Sequence, residues 1–215
     1  MVGRMRAYDI SMRAFLTTLA ILALTVAASA QGLSPLDTAT PIPYFVHDGQ
    51  AGSDYRPADR QLAVWALQAW ERVGGGTLKF QPSSEAEALI QVHWVPAAEG
   101  QYGEMRPLRV GNRRGAAVYI RPDTSALGPD IARGTRSDAL MRETVVYLTC
   151  VHELGHALGL SHTSDFRDIM YFFGFGGDIP EFFGRYRRQL QTRDDIAKFG
   201  GVSDSDTARL RALYR

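Results

Sequence analysis

Residues 152–162 read "HELGHALGLSH", and three of the chain's five histidines fall inside this one stretch. His152 and His156 are four positions apart, so on a helix both side chains leave the same face, one turn above the other, and can reach a common ion. Neutral imidazole nitrogens suit zinc, at about 2.0–2.1 Å each. Glu153 is one step round the helix from His152, which puts its carboxylate beside the metal rather than on it, where a general base for a zinc-activated water must stand. Gly159 falls on the next turn of the ligand face, where the missing side chain lets the helix stop and the backbone turn sharply. That turn brings His162 round as a third ligand. Three protein ligands and an open fourth position describe a catalytic site, since structural zinc normally takes four ligands, usually including cysteine. This chain has one cysteine. All five fixed residues of H-E-x-x-H-x-x-G-x-x-H arise by chance in such a chain with probability on the order of one in a hundred thousand. Histidines that merely satisfy polar contacts in a core are therefore a poor account of the stretch.

The rest of the composition says what kind of chain carries this site. With 215 residues, 45% of them hydrophobic, it can bury an ordinary core and form one catalytic-size domain. Its 24 basic and 23 acidic residues nearly cancel, so nothing argues for a nucleic acid or a membrane surface as partner. Proteins, peptides and small molecules are the remaining ligand classes. At the N-terminus, Arg4, Arg6 and Arg13 precede "AFLTTLAILALTVAA", which is the length of a signal-peptide core and short for a bilayer span. "ASA" at Ala28–Ala30 then offers the small residues of a cleavage site. Residues 1–30 are read as a secretory signal, with an uncleaved anchor as the alternative and Met12 as a second candidate start. The expected location is extracellular or periplasmic, with no stable membrane association after cleavage, and the expected state is a monomer. Cys150, the one cysteine, is expected to be a buried small residue on a helix rather than a nucleophile.

Residues 31–41 are polar and Pro-containing and read as an N-terminal arm, and residues 42–215 read as the catalytic domain. "YFVH" is a short first strand. A helical face from Pro57 carries Leu62, Ala66, Ala69 and Val73 and ends at Gly74–Gly76. Strands are expected at "TLKFQ" (77–81) and "LIQVHWV" (89–95), a weaker one at "MRPLRVG" and a better one at "AAVYIRP". A Gly/Pro/Ser-bearing loop, 123–137, leads to a second long helix from about Asp138 to Leu160. The element order suggests an α/β or α+β layered domain.

The extended motif resembles the metzincin clan of zinc endopeptidases, which also has a methionine-containing turn shortly after the third histidine. "DIMY", Asp168–Tyr171, stands at that place, and the resemblance makes Met170 a platform beneath the metal. Within the clan the chain is most similar to the matrixins, the matrix-metalloproteinase family. "TVVYLTCVHELGHALGLSHT" resembles their active-site helix, "RQLAVWALQAWERVGGGTLKFQ" their first helix and second strand, and "LQTRDDIAKF…ARLRALY" their C-terminal helix with an insertion. The likeness implies a twisted, mostly parallel five-stranded sheet with one antiparallel edge strand, and a substrate cleft across the zinc.

Departures from the family pattern qualify what carries over. No "PRCG"-like cysteine precedes the domain, so latency by a cysteine switch is not expected. The family's second, structural zinc needs His and Asp ligands ahead of the active-site helix, and His93, on a strand, is the one histidine read in that region. It is not expected to be a ligand. Calcium is compatible with the family but unsupported by any acidic, Gly-rich loop. Phe172 occupies the position where some clan members place a tyrosine ligand, so no tyrosine switch is expected from Tyr171. The resemblance implies a zinc endopeptidase acting on extended protein or peptide substrates, with His152, His156 and His162 on one Zn2+ and Glu153 as the base. A catalytically inactive peptide- or inhibitor-binding module on the same scaffold is the alternative, and Glu153 argues against it, because a pure binder has no use for a base beside an open metal position. The family's pocket for the side chain after the scissile bond is walled by the segment equivalent to 171–184. Its Phe172, Phe173, Phe175, Phe182 and Phe183 imply cleavage before bulky apolar residues such as Leu, Ile or Phe. Two adjacent pairs on an extended chain cannot all point inward, so at least one ring is expected to line the cleft.

Overall fold

Alternating apolar side chains in short runs build the sheet first. In "IQVHW" the buried Ile90, Val92 and Trp94 face one way and the part-exposed Gln91 and His93 the other. The computed structural model describes residues 34–98 and 102–215. The expected signal, 1–30, and the first residues of the arm lie outside them. Five strands form one sheet: β1 (Ile42–Gly49), β2 (Phe80–Pro82), β3 (Ile90–Trp94), β4 (Gly103–Val110) and β5 (Arg113–Ile120), in the order β2-β1-β3-β5-β4. The pairings are parallel except that of β4 with β5, which is antiparallel and puts β4 on the edge. This is the expected α+β architecture.

Two long helices supply the second layer. Helix α1 (Asp59–Val73) buries Leu62, Ala66 and Ala69, as its periodicity implied. Two further helices follow the sheet, α2 (Pro129–Ser137) and α3 (Ala139–Ala157). Helix α3 is buried almost continuously from Thr144 to Gly155, so it runs through the core rather than over it. The Trp70 indole of α1 donates to the Val151 carbonyl of α3 at 2.9 Å, tying the two together. At their N-terminal ends Arg142 makes a bidentate pair with Asp59, at 2.7 and 3.0 Å, with both side chains buried. Arg142 also donates to the Asp54 carbonyl, and Asp59 accepts the Arg56 amide, so the remaining capacity of the pair is largely used.

Several expectations are corrected. The stretch expected as a loop, 123–137, contains α2: Pro129 starts it at a position where no amide donor is needed, and Ile131 and Ala132 bury its inner face. The strand expected at 77–81 shrinks to Phe80–Pro82, because Leu78 turns into the core instead of joining the ladder. The C-terminal helix is two pieces, α5 (Asp195–Lys198) and α6 (Asp204–Leu213), parted around Gly200–Gly201. Segment 171–184 is not extended. Helix α4 (Ile179–Arg187) contains Phe182 and Phe183, and both adjacent rings are buried, because neighbours on a helix diverge by about 100° rather than 180°.

Removing one member of a buried, hydrogen-bonded ion pair strands the other. Asp59→Ala is therefore expected to lower unfolding stability by roughly 3–5 kcal/mol, measured by urea denaturation of the purified chain.

Candidate metal centre

The site is built where α3 ends. Asp138 caps the helix start, accepting the Met141 amide at 3.2 Å. Four turns later His152 and Glu153 are buried and His156 is partly open. The helix closes with the Leu160 amide donating to the Gly155 carbonyl and the Gly159 amide to that of His156. Gly159 sits at φ +103°, a conformation that favours glycine, and this is the sharp turn its position implied. Helix α6 holds the turn from outside. Tyr214 donates to the Leu158 carbonyl at 2.9 Å and Arg209 to that of Ser161 at 2.7 Å. His162 is thereby delivered to the other two histidines.

Hydrogen bonds orient two of the three rings. His152 Nδ1 donates to the Ile169 carbonyl at 2.6 Å and His156 Nδ1 to the Leu160 carbonyl at 2.8 Å. A carbonyl can only accept, so in both rings the proton is on Nδ1 and Nε2 carries a bare lone pair. Those two Nε2 atoms lie 3.3 and 3.1 Å from His162 Nε2. A proton on His162 Nε2 could serve only one of the two at a time, whereas bonds of about 2.0–2.1 Å to a tetrahedral zinc engage all three and space the nitrogens at about 3.3 Å. The three residues fit a zinc ion. They form the one group of three or more His, Cys, Asp or Glu donors within metal-binding reach among the described residues. Burial holds all three imidazoles neutral, the state a ligand needs. His152 is pushed down to about 3 by burial and then by His156, His162 to about 4 by the same two causes, and His156 is lowered chiefly by burial.

The turn Asp168–Tyr171 lies beneath the helix and is fully buried. The Met170 sulfur packs against Gly155, where any Cβ would overlap it. Glycine inside the HELGH stretch is thus a packing requirement, in addition to the fixed residues of the motif. On the same turn the Ile169 amide donates to Asp206 Oδ2 at 2.7 Å, and the Ser203 hydroxyl lies 2.7 Å from Asp168 Oδ1. Asp206 is completely buried at the start of α6. Sequence reasoning missed this support, although "SDSD" at 203–206 carries the Ser-x-x-Asp pattern of a helix N-cap.

Glu153 projects toward the edge strand. Gly103 of β4 lies so close that a Cβ there would overlap the Glu153 carboxylate. Burial pushes this carboxyl up to about 8, with Arg121 pulling it down and Glu104 adding to the rise. On the other flank the Thr163 amide donates to the Met170 carbonyl and the Phe172 amide to that of Thr163. This short ladder stacks the exposed Phe172 ring against His162, centroids 4.8 Å apart.

A model of the matrixin family matches residues 50–175, more than half of the chain. The chain belongs to the matrixin family. One relative is the macrophage metalloelastase of Oryctolagus cuniculus, 31% identical over 125 residues that make up 55% of this chain and 25% of the relative. This matrixin therefore spans about a quarter of the length of that relative. Membership of a metalloprotease family agrees with a centre that can hold zinc.

Apart from Phe172 on His162, the other residues singled out by sequence do not face the three histidines. His93 stacks between His47 of β1, at 4.0 Å, and Tyr119 of β5, at 4.9 Å, across the sheet. Cys150 is completely buried and its thiol is raised well above the ordinary range by that burial, against a nucleophilic role. The Tyr171 hydroxyl donates to the Gly176 carbonyl, away from the histidines. Phe182 and Phe183 belong to the core, Phe173 packs against it, and Phe172 and Phe175 are exposed.

The matrixin is expected to bind about one zinc per chain, and His156→Ala to abolish that binding. Elemental analysis of protein purified without chelator, with and without added zinc, checks both.

Proposed function

We propose that this matrixin is an exported zinc-dependent endopeptidase that hydrolyses peptide bonds in extended protein or peptide substrates. The observation that carries the proposal is the buried Glu153 carboxylate, set between three converging imidazoles and the free edge of the sheet. Zinc held by His152, His156 and His162 would supply Lewis acidity, polarising the scissile carbonyl and acidifying the attacking water. Glu153 takes a proton from that water and returns it to the leaving amine. Burial raises the hold of this carboxyl on a proton, which suits carrying the proton from the water to the leaving amine. Strand β4 has no strand neighbour on its outer side among the described residues, so its free amides and carbonyls can pair with an extended substrate. Gly103, at the Glu153 end of that strand, brings such a substrate's backbone close to the base.

Export rests on residues 1–30, through the basic start, apolar run and small-residue exit. No described helix is long and apolar enough to cross a membrane. The near-neutral charge supports a protein or peptide partner over a nucleic acid, and the enzyme is proposed to act as a monomer.

Glu153→Gln keeps the side-chain size and removes the base. Zinc content is expected to stay at the wild-type value while peptide hydrolysis falls at least about a hundredfold. A variant with unchanged turnover would point to another base, and a wild-type chain without turnover to the inactive-module alternative. Aromatic side chains around the site also favour apolar substrate residues, since a charge there would be desolvated without a partner. Peptide-library digestion is expected to show cleavage before apolar residues, and preferred cleavage before Asp, Lys or Arg would contradict this.

A further inference from the structure

A cavity of about 480 Å³ lies where α4 and the segment from α5 to α6 meet α3 and the methionine turn, a volume within the range of about 300–1,000 Å³ usual for small-molecule sites. Its inner wall is apolar, since Leu148, Ile169, Phe182 and Tyr186 line it and all four are buried. Three cations, Arg167, Arg185 and Lys198, also line it, and no carboxylate does. None of the three histidines, Glu153, Phe172 or Phe173 borders this space, so it is separate from the candidate metal centre.

The three cations are unequally matched. The exposed Arg167 and Lys198 pair with Asp165 and Asp195, each at 2.7 Å. The part-buried Arg185 forms no ion pair among the described residues, and donates instead to the Phe166 and Arg167 carbonyls at 2.6 and 3.3 Å. That uses two of the five donors of a guanidinium and leaves three. Burial draws Arg185 below its ordinary pKa, and Glu181, Asp165 and Asp168 offset only part of the fall. Each of those acids is engaged elsewhere, Glu181 with Arg188, Asp165 with Arg167 and Asp168 with Ser203. The guanidinium is also held in place, over the rings of Phe166 and Phe182 at 5.1 and 4.5 Å from their centroids. A fixed cation with unused donors and no acid of its own thus borders an apolar space.

We propose that this cavity is a second binding site, for a small carboxylic acid with an apolar body: the carboxylate pairs with Arg185 and the body lies against Leu148, Ile169, Phe182 and Tyr186. A guanidinium presents its donors as a fork that matches a carboxylate. The apolar wall favours burial of the body, and Arg185 supplies the countercharge without which a carboxylate would be desolvated at a loss. Ile169 and Ser203 both line the cavity, and both support the metal ligands, the first by accepting from His152 and the second by engaging Asp168. An occupant therefore touches the turn that orients His152, although it lies outside the cleft and takes no part in peptide hydrolysis.

The test titrates the zinc-loaded full chain calorimetrically with 4-phenylbutyrate and with its neutral analogue 4-phenylbutanol, with and without saturating acetohydroxamate to occupy the metal. One molecule of the acid is expected to bind per chain whether or not acetohydroxamate is present. It is expected to bind at least about tenfold more tightly than the alcohol, the scale of hydrogen bonds to a charged group. Arg185→Gln is expected to remove that advantage, and Val202→Trp, on the cavity wall, to weaken both probes. Absence of saturable binding to the wild-type chain overturns the proposal, as do equal affinities for acid and alcohol or an advantage that survives Arg185→Gln. Loss of the acid when acetohydroxamate is added would place it on the metal and overturns the proposal too. If Arg185→Gln does not fold, the wild-type comparison of acid with alcohol still decides the charge requirement, and unchanged binding to Val202→Trp overturns the location.

Discussion

The hydrogen bond from His152 Nδ1 to the Ile169 carbonyl is the interaction on which the centre depends. It fixes the tautomer and the ring plane of a ligand that helix geometry alone would leave free to rotate about two torsions. The carbonyl can do this only if the turn that carries it is immobile. The turn is immobile because Asp206 takes the Ile169 amide, Asp168 is engaged by Ser203, and Met170 fills the space that Gly155 leaves on α3. The last helix of the chain thus reaches the metal ligands through two peptide groups. A disturbance at α6 would be felt at the histidines through that turn and through Arg209, which lowers the proton affinity of His156 and His162.

The same helix must satisfy two opposed demands. To give the site a dry, rigid wall, α3 runs through the core, yet it carries Arg142, His152 and Glu153 with it. Each would be costly alone in an apolar interior. Arg142 is matched by Asp59, and His152 stays neutral and spends its proton on a carbonyl. Glu153 has no such match. Burial raises its affinity for a proton, Arg121 offsets part of the rise, and Glu104 adds a little to it.

Three glycines let chains approach where side chains would keep them apart. Gly159 supplies a backbone angle, Gly155 supplies room for Met170, and Gly103 supplies room for Glu153 against the edge strand. Only the first is part of the familiar motif. The other two act through contacts between segments distant in sequence, the kind of requirement that a local pattern does not encode.

The sequence by itself determined that the three histidines converge, because helical periodicity turns His-x-x-x-His into two side chains on one face whatever surrounds them, and a glycine one turn later makes the reversal that returns His162. It also determined the alternating strands and the inner face of α1, since those follow from burial with period 2 or 3.6. Tertiary structure decided what local pattern left open. Whether 171–184 was extended or helical depended on packing against α3 and the core, which is why the adjacent Phe182 and Phe183 are both inside. Whether 123–137 was loop or helix depended on the burial of Ile131 and Ala132. Above all, the groups that surround α3 and the turn beneath it come from elsewhere in the chain, namely Gly103 from the edge strand, Asp206 from the last helix, and Asp59 from the first. Contacts across such separations exist only once the chain has closed on itself.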